Sequence, residues 1–94
     1  MNRDELKKRI LSFASIGMDK EGAVNRVFGS DFMKEASEAM KLYMEEAGME
    51  SFIDSAGNVH GLCRAKVKDA PVIFAGSHLD TVKAGGIFDG LLGI

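Results

Sequence analysis

The run Val72-Ile73-Phe74-Ala75, closed by Pro71 on one side and Gly76 on the other, constrains this chain more than any other stretch. Four consecutive apolar residues leave no polar face for water, which is the pattern of a strand covered on both sides. Such a strand sits in the middle of an α/β sheet, and ligands of open α/β sheets lie beyond the carboxyl ends of the strands. The rest of the chain must then supply covering elements, and chemistry just past Gly76.

Two helical patterns precede the run. From about Asp4 to Ile16, Leu6, Ile10, Phe13 and Ala14 recur at steps of three and four, and Asn2 and Glu5 have the spacing of a capping box. Gly17, Gly22 and Gly29 punctuate a stretch with no period, which predicts a loop. Ser30 or Asp31 then caps a second helix. Its stripe is Phe32, Ala36, Ala39, Met40, Tyr43, Met44 and Ala47, and Gly48 suits its left-handed end. Met49 to Ile53 and Val59 to Lys68 read as an antiparallel hairpin about the turn Asp54-Ser55-Ala56-Gly57-Asn58. Along its second strand, Val59, Gly61, Cys63, Ala65 and Val67 face the core, and His60, Leu62, Arg64, Lys66 and Lys68 face water. Asp89 to Ile94 opens a third helix. The expected fold is a partial three-layer α/β domain of two helices, a hairpin and a buried central strand, truncated at the start of that third helix.

Composition narrows the function. Twelve Lys+Arg against 14 Asp+Glu leave a net charge of −2, so no basic stripe for nucleic acid is expected. No apolar run approaches the ~18 residues of a membrane span. Asp4 and Glu5 stand where an export signal would be basic, so a cytoplasmic location is expected. A single Cys63 and two histidines cannot make an intrachain disulfide, a Cys₄ zinc site or a Cys₂His₂ site. Cys63 reads as a small hydrophobe and His60 as a solvated side chain.

The chemistry lies in Gly76-Ser-His78-Leu-Asp80-Thr-Val-Lys-Ala-Gly85-Gly86-Ile-Phe-Asp89-Gly90-Leu-Leu-Gly93, which holds five of the eleven glycines. His78 and Asp80 are two apart at a strand end, so their side chains leave from one face if the chain stays extended. One imidazole nitrogen can then bind a metal ion while a carboxylate at the other sets the tautomer. Asp89 follows a Gly-Gly bend that can swing it back across the strand end, and a carboxylate can bridge two cations. The triplet alone fits a solvated His–Asp pair as well, and Asp89 also fits a helix cap. Gly85-Gly86 lacks the G-x-G-x-x-G or Walker lysine of a phosphate loop.

This segment resembles the hydantoinase/carbamoylase branch of the M20 metallopeptidase clan, which includes N-carbamoyl-L-amino-acid hydrolases, β-ureidopropionases and allantoate amidohydrolases. Its hallmark G-S-H-x-D-T/S-x-x-x-G-G-x-F/Y-D-G-x-x-G is matched at every fixed position from Gly76 to Gly93. Glu46-Ala-Gly48-Met49 and Asp54-Ser-Ala-Gly57-Asn58 are similar to the family's helix end and D-x-x-G-N turn. Asn25-Arg26 stands where relatives often have Thr-Arg, and Lys83 where many are uncharged.

By resemblance, residues 1–94 form the N-terminal portion of a metal-dependent catalytic domain. The resemblance makes His78 a ligand to one metal, Asp80 the catalytic residue that orients His78, and Asp89 the bridge between two divalent ions, Zn²⁺ or Mn²⁺. It implies hydrolysis of a ureido or amide C–N bond in a small carbamoyl or ureido substrate such as allantoate, by a homo-oligomer. The family's general base is a Glu in a Glu-Glu pair well downstream, in a part this sequence does not contain, so the 94-residue chain is expected to be inactive. Two alternatives stay open: a fragment of an aminopeptidase or dipeptidase of the same clan, and a non-catalytic self-associating module built on exposed strand edges.

Overall fold

The computed structural model describes residues 3–88 and Gly90. Its elements are α1 (Arg3–Ala14), α2 (Asp31–Glu46), β1 (Glu50–Ile53) and β2 (Val59–Leu62), the two strands pairing antiparallel. This is the helix, helix and hairpin order of the expected partial α/β domain. The chain forms two compact units, one joining residues up to Ala36 with those from Gly76 onward, the other spanning Ser37–Ala75. No helix among the described residues is long and apolar enough to cross a membrane.

In the first unit, α1 buries Ile10, Phe13 and Ala14, while Leu6 at the outer edge of the same stripe stays exposed. The helix ends at Ala14, and Ile16 N–H turns back to the Phe13 carbonyl at 3.0 Å. The glycine-punctuated stretch that follows is irregular, as its lost period predicts. Asp19 organises its turn: one carboxylate oxygen accepts from Glu21 and Ala23 N–H, at 2.9 and 3.0 Å, and the other from Asn25 Nδ2 at 3.1 Å.

Both ends of α2 have the caps read from the residues. Ser30 Oγ accepts the Met33 N–H at 3.2 Å. At the other end Gly48 takes φ +87°, and Met49 N–H and Gly48 N–H reach back to the Met44 and Glu45 carbonyls, each at 3.0 Å. That is the Schellman arrangement.

In the second unit the hairpin pairs Glu50 with Leu62 through to Ile53 with Val59. Asp54 closes its turn by accepting from Ala56 and Asn58 N–H, both at 2.9 Å, and from His60 Nε2 at 2.8 Å. The hydrogen bond from His60 first, and those from Asn58 next, hold the Asp54 carboxyl well below the usual range. His60 also stacks on Phe52, with ring centroids 4.5 Å apart and planes 5° from parallel, so it is a working part of the hairpin rather than a merely solvated side chain.

Three expectations are corrected. β2 stops at Leu62 instead of Lys68, because the Met49 N–H is already committed to the helix cap. β1 therefore begins only at Glu50, and nothing in it pairs with β2 beyond Leu62. Cys63, just past that limit, is exposed rather than core-facing. Val72–Ala75 is not a buried central strand: it lies outside the strands and is exposed, Ile73 at 91% and Phe74 at 92%. A strand covered on both faces needs neighbours for its N–H and C=O groups, and none of the described residues supplies them. The third helix falls on Asp89 and Leu91–Ile94, outside the described residues.

Candidate functional site

From His78 to Thr81 the chain alternates. Leu79 and Thr81 are buried, and His78 and Asp80 take the other side with about half of each side chain exposed (52% and 43%). The same-face departure read from the H-x-D spacing is what the backbone delivers. His78 Nδ1 lies 2.9 Å from the Asp80 carbonyl oxygen and 3.2 Å from Asp80 Oδ1. Both neighbours are acceptors, so Nδ1 carries the proton and donates. In the neutral ring the lone pair then sits on Nε2, the nitrogen a metal ion would take.

The segment is held from behind by residues 24–26. Val24 and Gly85 exchange both backbone hydrogen bonds, at 2.9 and 2.8 Å. Thr81 N–H donates to the Arg26 carbonyl at 2.8 Å, and Arg26 N–H donates to Thr81 Oγ1 at 2.9 Å. Asn25 Oδ1 accepts the Ala84 N–H at 2.8 Å, which supports the left-handed Ala84 (φ +56°) ahead of the Gly-Gly bend. These bonds make the loop a fixed platform rather than a free surface segment.

Arg26 is wholly buried. Its Nε donates to the Leu79 carbonyl at 2.9 Å, and its Nη1 to the Phe13 and Ile16 carbonyls at 2.7 and 3.2 Å. The Phe13 carbonyl lies in the last turn of α1 and the Ile16 carbonyl just past its end, and the helix has no basic residue in that turn. A guanidinium there meets the negative end of the helix dipole.

Gly90 closes the other side. Ser77 Oγ donates to its carbonyl at 2.7 Å, and its backbone, at φ +77°, runs so near His78 that an added Cβ would lie 2.9 Å from Nδ1. The structure thus brings together His78, Asp80 and the Gly90 backbone. Asp89, the expected bridging ligand, lies outside the described residues. Among the described residues no group of three or more His, Cys, Asp or Glu could hold a metal ion. An apolar hollow of about 200 Å³ between α1 and Ile87–Phe88 has neither His78 nor Asp80 in its wall.

Sequence reasoning gave neither Arg26 nor Thr81 a role, although Arg26 had been set against the family's Thr-Arg and Thr81 fills a fixed position of the hallmark. A faint further signal existed for each: Arg26 sits between Val24 and Val27, and Thr81 continues the inward alternation of Leu79.

No family model matches the chain. It is 37% identical over 92 residues to allantoate deiminase 1 of Glycine max, covering 98% of this chain and 19% of that protein. It is 36% identical over 91 residues to an N-carbamoyl-L-amino acid amidohydrolase of Geobacillus stearothermophilus, covering 97% and 22%. A crystal structure of a hydantoinase/carbamoylase family amidase from Burkholderia ambifaria superposes with a TM-score of 0.91 at 29% identity, over 99% of this chain and 23% of that one. The resemblance to the hydantoinase/carbamoylase amidases is therefore borne out along the length of the chain, which spans about a fifth of its relatives.

Proposed function

We propose that this chain is the part of a dinuclear metal-dependent amidohydrolase that carries its first metal-ligating loop, the whole protein hydrolysing a C–N bond of N-carbamoyl amino acids or of ureido acids such as allantoate. The observation that carries this reading is the Nδ1 proton of His78, directed at the Asp80 carbonyl and carboxylate, which makes Nε2 the basic nitrogen of the neutral ring. His78 Nε2 and the Asp89 carboxylate would hold Zn²⁺ or Mn²⁺, and an imidazole with a carboxylate is a donor set both ions accept. Such cations, when bound, supply Lewis acidity to a carbonyl and to water. The chain's own contribution is to present the imidazole: Asp80 orients it, and the Gly90 backbone packs against it.

That the relatives are allantoate deiminases, allantoate amidohydrolases and N-carbamoyl-L-amino acid amidohydrolases supports a small carbamoyl or ureido substrate. A homo-oligomeric, cytoplasmic enzyme is part of the same proposal. The 94-residue chain by itself is expected to release neither urea nor ammonia from N-carbamoyl amino acids or allantoate with added Zn²⁺ or Mn²⁺, since His78 and Asp89 fall short of a four-coordinate site. Zn²⁺ titration followed by the imidazole ¹⁵N signals tests the ligand role, with a selective change at His78 Nε2 expected. Absence of that change at millimolar Zn²⁺ would overturn it, and turnover by the verified chain would overturn the expected inactivity.

A further inference from the structure

We infer that Arg26 is a positioning residue that sets the tautomer of His78 from the far side of the loop. Two peptide groups flank Asp80, and Arg26 grips both. Its side-chain Nε holds the carbonyl of the Leu79–Asp80 peptide at 2.9 Å. Its main-chain carbonyl holds the N–H of the Asp80–Thr81 peptide at 2.8 Å. The carbonyl of that second peptide is the Asp80 oxygen that accepts from His78 Nδ1 at 2.9 Å. With both peptide planes fixed, Asp80 has little freedom in φ and ψ, and its carbonyl stays aimed at the ring.

Arg26 is in turn anchored at the end of α1 through the Phe13 and Ile16 carbonyls. The guanidinium is planar and offers donors in a fixed fork, so one side chain can serve a helix end and a loop carbonyl at once. A lysine can reach one of these carbonyls but cannot span them. The path runs from the α1 terminus through Arg26 and the Asp80 peptides to the Nδ1 proton, and needs no metal ion.

The inference deepens the proposed function, since a ligand-ready Nε2 matters most in a metal site, but its test is read on the protein alone. In the ¹⁵N-labelled chain at a pH where His78 is neutral, imidazole ¹⁵N–¹H correlation is expected to show the Nδ1–H form. In Arg26→Lys it is expected to change to a mixture dominated by Nε2–H, the form favoured in water. A folded Arg26→Lys chain, with native circular dichroism, that keeps His78 as Nδ1–H would overturn the inference. If that variant does not fold, hydrogen exchange in the unaltered chain decides. The Arg26 Nε–H is expected to exchange at least about a hundredfold slower than that of a solvent-exposed arginine, and equal rates would overturn the clamp. A chain that shows the Nδ1–H form but whose Nε2 ignores Zn²⁺ would sink the metal reading and leave the role of Arg26 intact.

Discussion

Replacing Gly90 by alanine tests the close approach on which the site geometry depends. In place, the new Cβ would collide with the His78 carbonyl oxygen and sit 2.9 Å from His78 Nδ1 and 3.0 Å from the His78 carbonyl carbon, where ordinary contact needs about 3.5–4.0 Å. Holding alanine at φ +77° adds about 1–2 kcal/mol, and overpacking of this kind costs about 1–3 kcal/mol more. The alternative is for the backbone to swing off His78, which forfeits the Ser77 Oγ bond to the Gly90 carbonyl, about 1 kcal/mol. The smaller cost wins. Gly90→Ala is therefore expected to lower stability by only about 1–2 kcal/mol while displacing the wall beside the imidazole. Urea unfolding followed by far-ultraviolet circular dichroism suits a chain with no Trp and one Tyr, and His78 ring shifts report the local change. Gly86→Ala is the control: its added Cβ meets nothing within 4 Å, so a change within about 0.5 kcal/mol is expected. If Gly90→Ala matches that control in stability and leaves the His78 shifts untouched, the reasoning is refuted.

Thr81→Val keeps the shape but removes the acceptor for Arg26 N–H and the donor to the Val24 carbonyl, both buried, and is expected to cost about 1–3 kcal/mol in thermal or urea unfolding; a loss below about 0.5 kcal/mol would contradict those bonds. Ile73→Ser, at a position 91% exposed, is expected to leave the stability of this chain within about 0.5 kcal/mol, and a loss of several would mean the apolar run is covered after all. Asp54 titrates below its ordinary 3.8 in the folded hairpin, so its turn-closing contribution is complete above that pH and is lost as pH falls through the lower folded value. Amide protection at Ala56 and Asn58 is expected to persist at pH 4 and collapse in stronger acid, whereas collapse already at pH 5 would reverse the sign.

Local interactions explain why the helices, their caps and the hairpin turn were legible from the residues. A Ser30 hydroxyl meets an N–H three residues on, Gly48 supplies a left-handed end, and Asp54 closes its own loop, none of which depends on distant chain. The H-x-D pair was legible for the same reason, since its geometry needs only two residues of extended backbone. Hydrophobic pattern was a poorer guide where long-range partners decide. Val72–Phe74 has the composition of an interior strand, but a strand is stabilised by neighbours that take its backbone groups, and its residues cannot specify whether those neighbours are at hand. β2 ended early because a helix cap had already used the Met49 N–H, a competition visible only once α2 and β1 are placed together. Arg26 was hidden for the opposite reason. A lone arginine in a loop resembles any solvated cation until folding carries the α1 terminus and the Leu79 carbonyl to it, across 13 and 53 residues of sequence, and makes its burial favourable.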